Sequence, residues 1–247
     1  MKNILKISTS QGSLNKNIGS ELAPSEIIKH IKKKFKLYSV LIDSLNMEIT
    51  NLNIFNSATG FTGIIIGGDH SITYSAFKAM AEKCKNPGLI MLDAHVDCTS
   101  YIKPPSHEDF LRVLLEDSIL KQKNTLLIGV RNVYNAEKSY IKTKKINIIT
   151  MQNIINYKKF LPYFSKLDAV YLSIDIDVLD PKIASGTHYK VKGGMGKKTI
   201  FSILKDIKKL KNLKIVDIVE VNPKLDKANK TVKIAAELID FFHHTKK

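Results

Sequence analysis

Gly88-Leu-Ile-Met-Leu92 and, directly after it, Asp93-Ala-His-Val-Asp97 form the stretch that best indicates how this chain folds. The first segment is a continuous apolar run, which is typical of a strand buried on both faces of a sheet. Side chains at positions i, i+2 and i+4 of an extended segment share one face, so Asp93, His95 and Asp97 can point into one pocket. Two carboxylates and an imidazole suit Mn, Fe or Zn better than Ca. The alternative at this point is a polar strand end whose aspartates cap the next helix.

The size and composition of the chain narrow the possibilities. At 247 residues, 44% of them hydrophobic, the chain is predicted to form a single domain over residues 1–247 with a buried core. The two cysteines, Cys84 and Cys98, provide no disulfide framework, which favours a reducing, cytoplasmic location. The apolar stretch at the N-terminus is too short for a signal peptide, and no run approaches the roughly 20 apolar residues of a membrane span. We therefore expect a cytoplasmic protein with no membrane partner.

The net charge of +16 raises the question of nucleic-acid binding. Almost all of the cations are lysines, because Arg112 and Arg131 are the only arginines. Arginine is the residue preferred for bidentate hydrogen bonding to bases and phosphates. The lysines are scattered over several predicted helices and loops, which indicates a compositional bias of the source genome. No specific nucleic-acid partner is expected.

Strands and helices alternate along the chain. Apolar segments are predicted to be strands at residues 2–8, 37–42, 63–66, 88–92, 125–130, 146–150, 169–175 and 214–221. Amphipathic segments are predicted to be helices at 24–35, around 74–81, from Pro104 through Leu115, and at 136–142, 198–209 and 231–243. The polar segment 44–57 has no clear pattern. The alternation predicts a three-layer α/β/α fold with a largely parallel sheet of about eight strands, in which ligands bind at the carboxyl ends of the strands.

Four of the predicted strands end in clusters of charged residues. These clusters contain Asp69, His70, Asp93, His95, Asp97, Asp175, Asp177, Asp180 and Glu220. In a parallel sheet the four ends lie on one edge, where so many carboxylates repel one another unless cations are bound. Two divalent ions bridged by shared aspartates would satisfy the group. The alternative is that each cluster is an independent helix cap or turn, and this would have to be true of all four clusters at once.

Three segments resemble the signature motifs of the ureohydrolases, the family of arginase, agmatinase and formiminoglutamase. They are Gly67-Gly-Asp-His-Ser71, Asp93-Ala-His-Val-Asp97 and Ser173-Ile-Asp-Ile-Asp-Val-Leu-Asp-Pro181, in the family's order. The resemblance covers most of the chain and implies an arginase-like fold with two Mn²⁺ ions per chain. It places one ion at His70, Asp93, Asp97 and Asp175, and the other at Asp93, His95, Asp175 and Asp177, with Asp93 and Asp175 as bridges.

The resemblance also implies a reaction, in which a metal-bridging hydroxide attacks the planar carbon of a guanidinium and urea and an amine are released. His107, ten residues after Asp97, is the expected proton shuttle, and an ordinary histidine at a helix start is the alternative. Glu220 is the expected partner of the guanidinium, from which a carboxylate can accept two parallel N–H bonds. Asp180 is expected to shape a turn, and His188 is expected to be exposed to solvent.

The motifs indicate the class of reaction, but they do not identify the substrate. Residues 98–105 do not reproduce the polar segment with which arginases bind an α-amino acid group, and the compact chain resembles short prokaryotic agmatinase-like members. Agmatine, giving putrescine and urea, is therefore the expected substrate, and arginine or another guanidino or formimino compound is the alternative. An alternative of a different class is a binding or regulatory subunit without catalysis. The resemblance also implies a homo-oligomer, either a trimer or a hexamer.

Overall fold

The computed structural model describes residues 1–243, in which eight strands form one sheet. The strands are β1 (Asn3–Lys6), β2 (Lys36–Ser39), β3 (Gly63–Ile66), β4 (Pro87–Leu92), β5 (Thr125–Val130), β6 (Asn147–Thr150), β7 (Ala169–Asp175) and β8 (Leu213–Val219). Their order across the sheet is β2-β1-β3-β8-β7-β4-β5-β6, and every neighbouring pair is parallel. The predicted parallel sheet of about eight strands is therefore confirmed.

Helices cover both faces of this sheet. They are α1 (Ala23–Ile28), α2 (Met47–Ala58), α3 (Ile72–Ala81), α4 (Phe110–Glu116), α5 (Asn135–Lys144), α6 (Leu161–Phe164), α7 (Lys197–Ile207) and α8 (Lys230–Phe242). Successive residues of β4 point into different cores: Ile90 and Leu92 belong to one hydrophobic cluster, and Leu89 and Met91 belong to the other. A strand buried on both faces has this pattern, so the α/β architecture with three layers is also confirmed.

Helix α1 is shorter than the sequence predicts. The apolar spacing predicts a helix over residues 24–35, but α1 ends at Ile28. The backbone N–H groups of Lys32 and Lys33 donate to the two carboxylate oxygens of Asp240, each at 2.9 Å. These tertiary hydrogen bonds replace helical ones, so the predicted helix end was wrong because contacts with α8 determine the backbone after Ile28.

Two further local differences follow from side chains that bond to the backbone. The helix predicted from Pro104 begins only at Phe110, because Asp109 accepts hydrogen bonds from the Ser106 backbone and hydroxyl at 2.6 and 2.5 Å and holds the preceding residues in a turn. The unassigned segment 44–57 forms nearly all of α2, which begins after Asn46 and ends at Ala58. The Asn46 side chain accepts bonds from the N–H groups of Glu48 and Ile49, as an N-cap does.

The order of the strands brings the four charged clusters together. Strands β3, β8, β7 and β4 are neighbours at the centre of the sheet, and each is followed by one cluster. Leu92 of β4 pairs with Ile174 of β7, so Asp93 and Asp175 leave the sheet side by side. After β3, Gly68 lets the chain approach the loop that follows β1, because a Cβ on Gly68 would lie 1.9 Å from the Thr9 carbonyl oxygen. Residues 11–19 thereby reach the same edge.

Within residues 1–243, no helix combines the length and the apolar character needed to cross a bilayer.

Candidate metal centre

The six residues predicted as metal ligands lie together at the carboxyl ends of β3, β4 and β7. His70 is at the centre of the first group. Its Nδ1 lies 3.3 Å from an oxygen of Asp93, 3.0 Å from an oxygen of Asp97 and 3.3 Å from an oxygen of Asp175. Three carboxylates therefore surround one imidazole nitrogen, and none of them makes a well-directed hydrogen bond with it.

His95 forms the second group with Asp93 and Asp177. Its Nδ1 is 2.8 Å from Asp177 Oδ2 and 3.6 Å from Asp93 Oδ1. Asp93 thus belongs to both groups and stands between them. Asp175 belongs to the first group, and its Oδ1 accepts a hydrogen bond from the Asp177 N–H at 2.8 Å. The bridging role of Asp175 stays a prediction.

The charge balance of this cluster fits bound cations. All six side chains are buried, and Asp97, the most exposed of them, has only 8% of its surface accessible. Burial lowers the pKa of His70, but the nearby carboxylates of Asp175, Asp93 and Asp97 outweigh burial and raise that pKa well above its usual value. Burial together with the neighbouring Asp177 and Asp93 raises the pKa of Asp175. The carboxylates therefore need positive charge beside them, and a set of aspartates and histidines is one that divalent transition metals bind.

A chain of hydrogen bonds behind His70 fixes which of its nitrogens can bind a metal. The Ser173 hydroxyl donates to Asp217 Oδ1 at 2.6 Å and therefore accepts from His70 Nε2, which is 2.8 Å away. With its proton on Nε2, the ring presents the lone pair of Nδ1 to the three carboxylates. Hydrogen bonds of this kind orient most metal-bound histidines. Sequence analysis gave no role to Ser173, although it begins the third motif, and none to Asp217.

His107 and Glu220 form a buried pair beside the cluster. His107 Nδ1 lies 3.1 Å from Glu220 Oε1, which also accepts a bond from the His70 N–H at 2.6 Å. Asn17 Nδ2 donates to Glu220 Oε2 at 2.6 Å. Burial lowers the pKa of His107, but the Glu220 carboxylate more than compensates and raises it to about 9. Nothing in the loop sequence around Asn17 indicated this contact.

Two of these functional positions have a left-handed backbone. Asp97 has a φ of 54° and Glu220 a φ of 65°, values that cost a non-glycine residue about 1–3 kcal/mol. At Glu220 the conformation is held by the side-chain bonds described above and by its own N–H, which donates to the Gly68 carbonyl at 2.7 Å. Strain of this kind is common where a side chain has to be aimed at a site.

The cluster opens into a small cavity, whose outer wall we call the mouth. The mouth consists of Glu108, Tyr134 and Tyr189, which come from three different loops or loop ends. The Tyr134 ring stacks on His95 with the ring centres 6.2 Å apart, and the Tyr189 ring meets His95 edge-on at 5.3 Å. Sequence analysis missed all three residues, because none of them belongs to a motif.

The remaining sequence predictions concern residues outside the cluster. Asp180 accepts hydrogen bonds from the backbone N–H groups of Lys182, Gly193 and Gly194, at 3.0, 2.9 and 3.2 Å, and thereby holds the turn at the start of the long loop. His188 is exposed, and its ring packs edge-on against Tyr189. Neither residue lies in the metal cluster.

Comparison with known proteins identifies the family to which the chain belongs. The model of the arginase family matches residues 19–243. The chain belongs to the arginase family. Members of this family are hydrolases that act on guanidino or amidino substrates, so the chain is a hydrolase of that class.

Individual members of the arginase family differ in their substrates. The arginase of Staphylococcus aureus strain COL is 30% identical over 239 residues, which cover 85% of this chain and 76% of the relative. The formimidoylglutamase structure of Bacillus subtilis has a TM-score of 0.90 at 25% identity, covering 98% of this chain and 86% of the other. A putative agmatinase from Clostridium difficile has a TM-score of 0.86 at 22% identity, covering 96% and 94%, and shows the fold alone. The family is thus established, and the substrate has to be argued from the site.

Proposed function

We propose that the protein is a manganese-dependent hydrolase that cleaves agmatine to putrescine and urea. The observation that carries the proposal is the buried cluster of the six predicted ligands beside the His107–Glu220 pair, at the bottom of a narrow cavity. When bound by His70, Asp93, Asp97 and Asp175 on one side and by Asp93, His95, Asp175 and Asp177 on the other, two Mn²⁺ ions would supply a water of lowered pKa as the nucleophile.

His107 supports the departure of the amine in this proposal. Its Nδ1 is held by Glu220 Oε1, while its Nε2 is buried and has no hydrogen-bond partner among the described residues. A protonated imidazole in this position can give the Nε2 proton to the leaving nitrogen, which cannot depart as an anion. Glu220 stabilises the protonated form, because a carboxylate at hydrogen-bond distance favours the charged state of a histidine.

Glu220 provides the contact to the guanidinium. Its Oε1 already accepts two hydrogen bonds, from the His70 N–H and from His107 Nδ1, and its Oε2 accepts one from the Asn17 side chain. Each carboxylate oxygen has two lone pairs, so Oε2 has one acceptor position left for a guanidinium N–H. The two-bonded contact expected from the sequence requires His107 Nδ1 to move away from Oε1.

The cavity wall supports a substrate with a cationic tail. Among residues 1–243, no lysine or arginine lines the cavity, whereas Glu108 and Glu137 do. The nearest side-chain cation, Lys16, lies beyond the lining and is paired with Glu108 at 2.6 Å, so the lining itself offers an α-carboxylate no cation. Glu137 has both oxygens occupied by the N–H groups of Cys98 and Tyr134, at 2.9 Å each. The ammonium of agmatine instead meets acceptor oxygens and tyrosine rings. Arginine is the second candidate, because relatives that are about 30% identical are named arginase.

Urea release from a panel of substrates tests the proposal. The manganese-loaded protein is supplied with agmatine, arginine, guanidinobutyrate and formiminoglutamate. Urea is measured for the three guanidino compounds, and formamide is measured for formiminoglutamate, whose formimino group cannot give urea. We expect the highest kcat/KM for agmatine. A higher value for arginine would refute the proposed substrate and leave the class of reaction intact. No urea from any of the guanidino compounds, with manganese bound, would refute cleavage of a guanidino group. The absence of formamide from formiminoglutamate as well would favour a binding or regulatory role.

A trimer or hexamer and a cytoplasmic location remain predictions of the sequence. Light scattering of the purified protein would test the first of them.

A further inference from the structure

Three loops meet at one carboxylate in the mouth of the cavity. The Tyr189 hydroxyl donates to Glu108 Oε1 at 2.6 Å, and Lys16 Nζ lies 2.6 Å from the same oxygen. Glu108 lies in the loop before α4, Lys16 in the loop after β1, and Tyr189 in the long loop after β7. Arg131 fixes the last of these by donating to the carbonyls of Asp177 and Val191, at 2.6 and 2.9 Å.

Glu108 is accessible from the cavity as well as from solvent. It lines the cavity, and 20% of its side-chain surface is exposed. Its carbonyl is held by Thr99, whose N–H and hydroxyl donate to it at 3.0 and 2.9 Å, so the residue itself has a fixed position. Lys16, in contrast, is 41% exposed and makes a single ion pair. An exposed lysine–glutamate pair is weak, so another cation can replace the lysine at little cost.

We propose that Glu108 binds the distal ammonium group of the substrate, and that this ammonium replaces Lys16 as the partner of the carboxylate. The inference rests on the proposed function, because it concerns the tail of the same guanidino substrate. With the guanidinium at Glu220, the substrate chain runs past the Tyr189 ring, which lies 5.9 Å from the His107 ring, towards Glu108. Tyr189 holds Glu108 through its hydroxyl, and Tyr134 lines the cavity beside His95. Glu108 is therefore a specificity-determining residue.

Two substitutions with opposite expected effects on KM distinguish substrate binding by Glu108 from a purely structural role. In the manganese-loaded protein, KM is measured for agmatine and for butylguanidine, which has the same chain length and no ammonium. Glu108→Gln should raise the KM for agmatine about tenfold, as expected for a lost ion pair in a partly desolvated site, and change the KM for butylguanidine less than twofold. Lys16→Gln should lower the KM for agmatine about threefold, because it removes the competing cation.

The controls come from a similar pair on the surface. Lys29 and Glu26 form an ion pair at 2.7 Å outside the site. Glu26→Gln and Lys29→Gln should leave the values for both compounds unchanged. A His107→Asn background should allow both compounds to bind without being cleaved. Calorimetry in that background measures how Glu108→Gln and Lys16→Gln change the dissociation constant of each compound.

Two results would overturn the inference. If Glu108→Gln and Lys16→Gln shift agmatine and butylguanidine in the same direction and by the same factor, the carboxylate only ties the loops together. If Glu108→Gln leaves agmatine binding unchanged, the ammonium binds elsewhere. Failure of the proposed function has a different signature, which is the absence of urea from the unsubstituted protein whatever the binding constants are.

Discussion

The floor and the mouth of the candidate site are built in different ways. The floor consists of the six predicted ligands, which lie at or just beyond the carboxyl ends of β3, β4 and β7 and are almost completely buried. The mouth, by contrast, consists of Glu108, Tyr134 and Tyr189, which loops bring together and solvent partly reaches; Tyr134 is 39% exposed. Sheet hydrogen bonds fix the floor, whereas side-chain contacts between loops fix the mouth.

This difference indicates where the reaction and the substrate are determined. A substitution on the floor affects several residues at once, because Asp93 belongs to both groups of predicted ligands. A change in the mouth alters one loop and leaves the sheet intact, and loops of this kind vary more readily than the elements they connect. We therefore infer that the floor determines the chemistry and that the mouth selects the substrate tail.

Replacing the shared ligand should have the largest effect. Asp93→Asn removes a charged oxygen from both groups, so we expect fewer than two manganese ions per chain and a loss of urea release of more than about a thousandfold. Elemental analysis and a urea assay measure the two quantities. Asp180→Asn, in the same region but outside the cluster, should keep the full metal content. Two ions bound to Asp93→Asn with normal turnover would show that the floor does not depend on this residue.

Replacing His107 separates proton transfer from metal binding. His107→Asn should lower kcat by about 10²–10⁴-fold, the usual contribution of a general acid, while the metal content stays unchanged. Steady-state kinetics and elemental analysis of the same preparation give both values. Unchanged turnover would remove His107 from the mechanism.

Weakening the support behind the floor should have a smaller effect. Ser173→Ala deprives His70 Nε2 of its acceptor, and we expect manganese affinity to fall about 10–100-fold. Competition with a chelator of known affinity measures the change. Ser20→Ala is the matched control, because it removes another buried hydroxyl, one with no hydrogen-bond partner among the described residues. Equal affinities of the two variants would mean that Ser173 does not orient the ligand.

A loop residue that supports the floor should have the smallest effect of the four. Asn17→Ala leaves Glu220 Oε2 without its partner, which should lower the free energy of unfolding by about 1–3 kcal/mol. Asn53→Ala, which removes a hydrogen bond from Asn53 Nδ2 to the exposed Leu41 carbonyl, should cost less. Denaturant unfolding of the manganese-loaded proteins compares them. A smaller loss for Asn17→Ala than for Asn53→Ala would indicate that Glu220 is held in place without this contact.

The floor was predictable from the sequence for a physical reason, and the mouth was not. A parallel sheet aligns its strand ends, so charged residues directly after apolar runs have to meet, and their clustering was predictable without any contact information. The choice of six ligands among them came from the family resemblance and stays a prediction. Glu108, Tyr134 and Lys16 lie in different loops, and no spacing rule relates them. Asn17 and the end of α1 were missed for the same reason, since long-range hydrogen bonds determine both. The single-domain prediction for residues 1–247 stays a prediction.

Restoring manganese to metal-free protein tests the central claim most directly. The protein is stripped with a chelator, Mn²⁺ is added in steps, and urea release from the best substrate of the panel is measured with the number of ions bound per chain. We predict no urea from the stripped protein and full activity when two ions are bound. Full activity without metal, or with a single ion per chain, would contradict a hydrolytic centre built from the six residues of the floor.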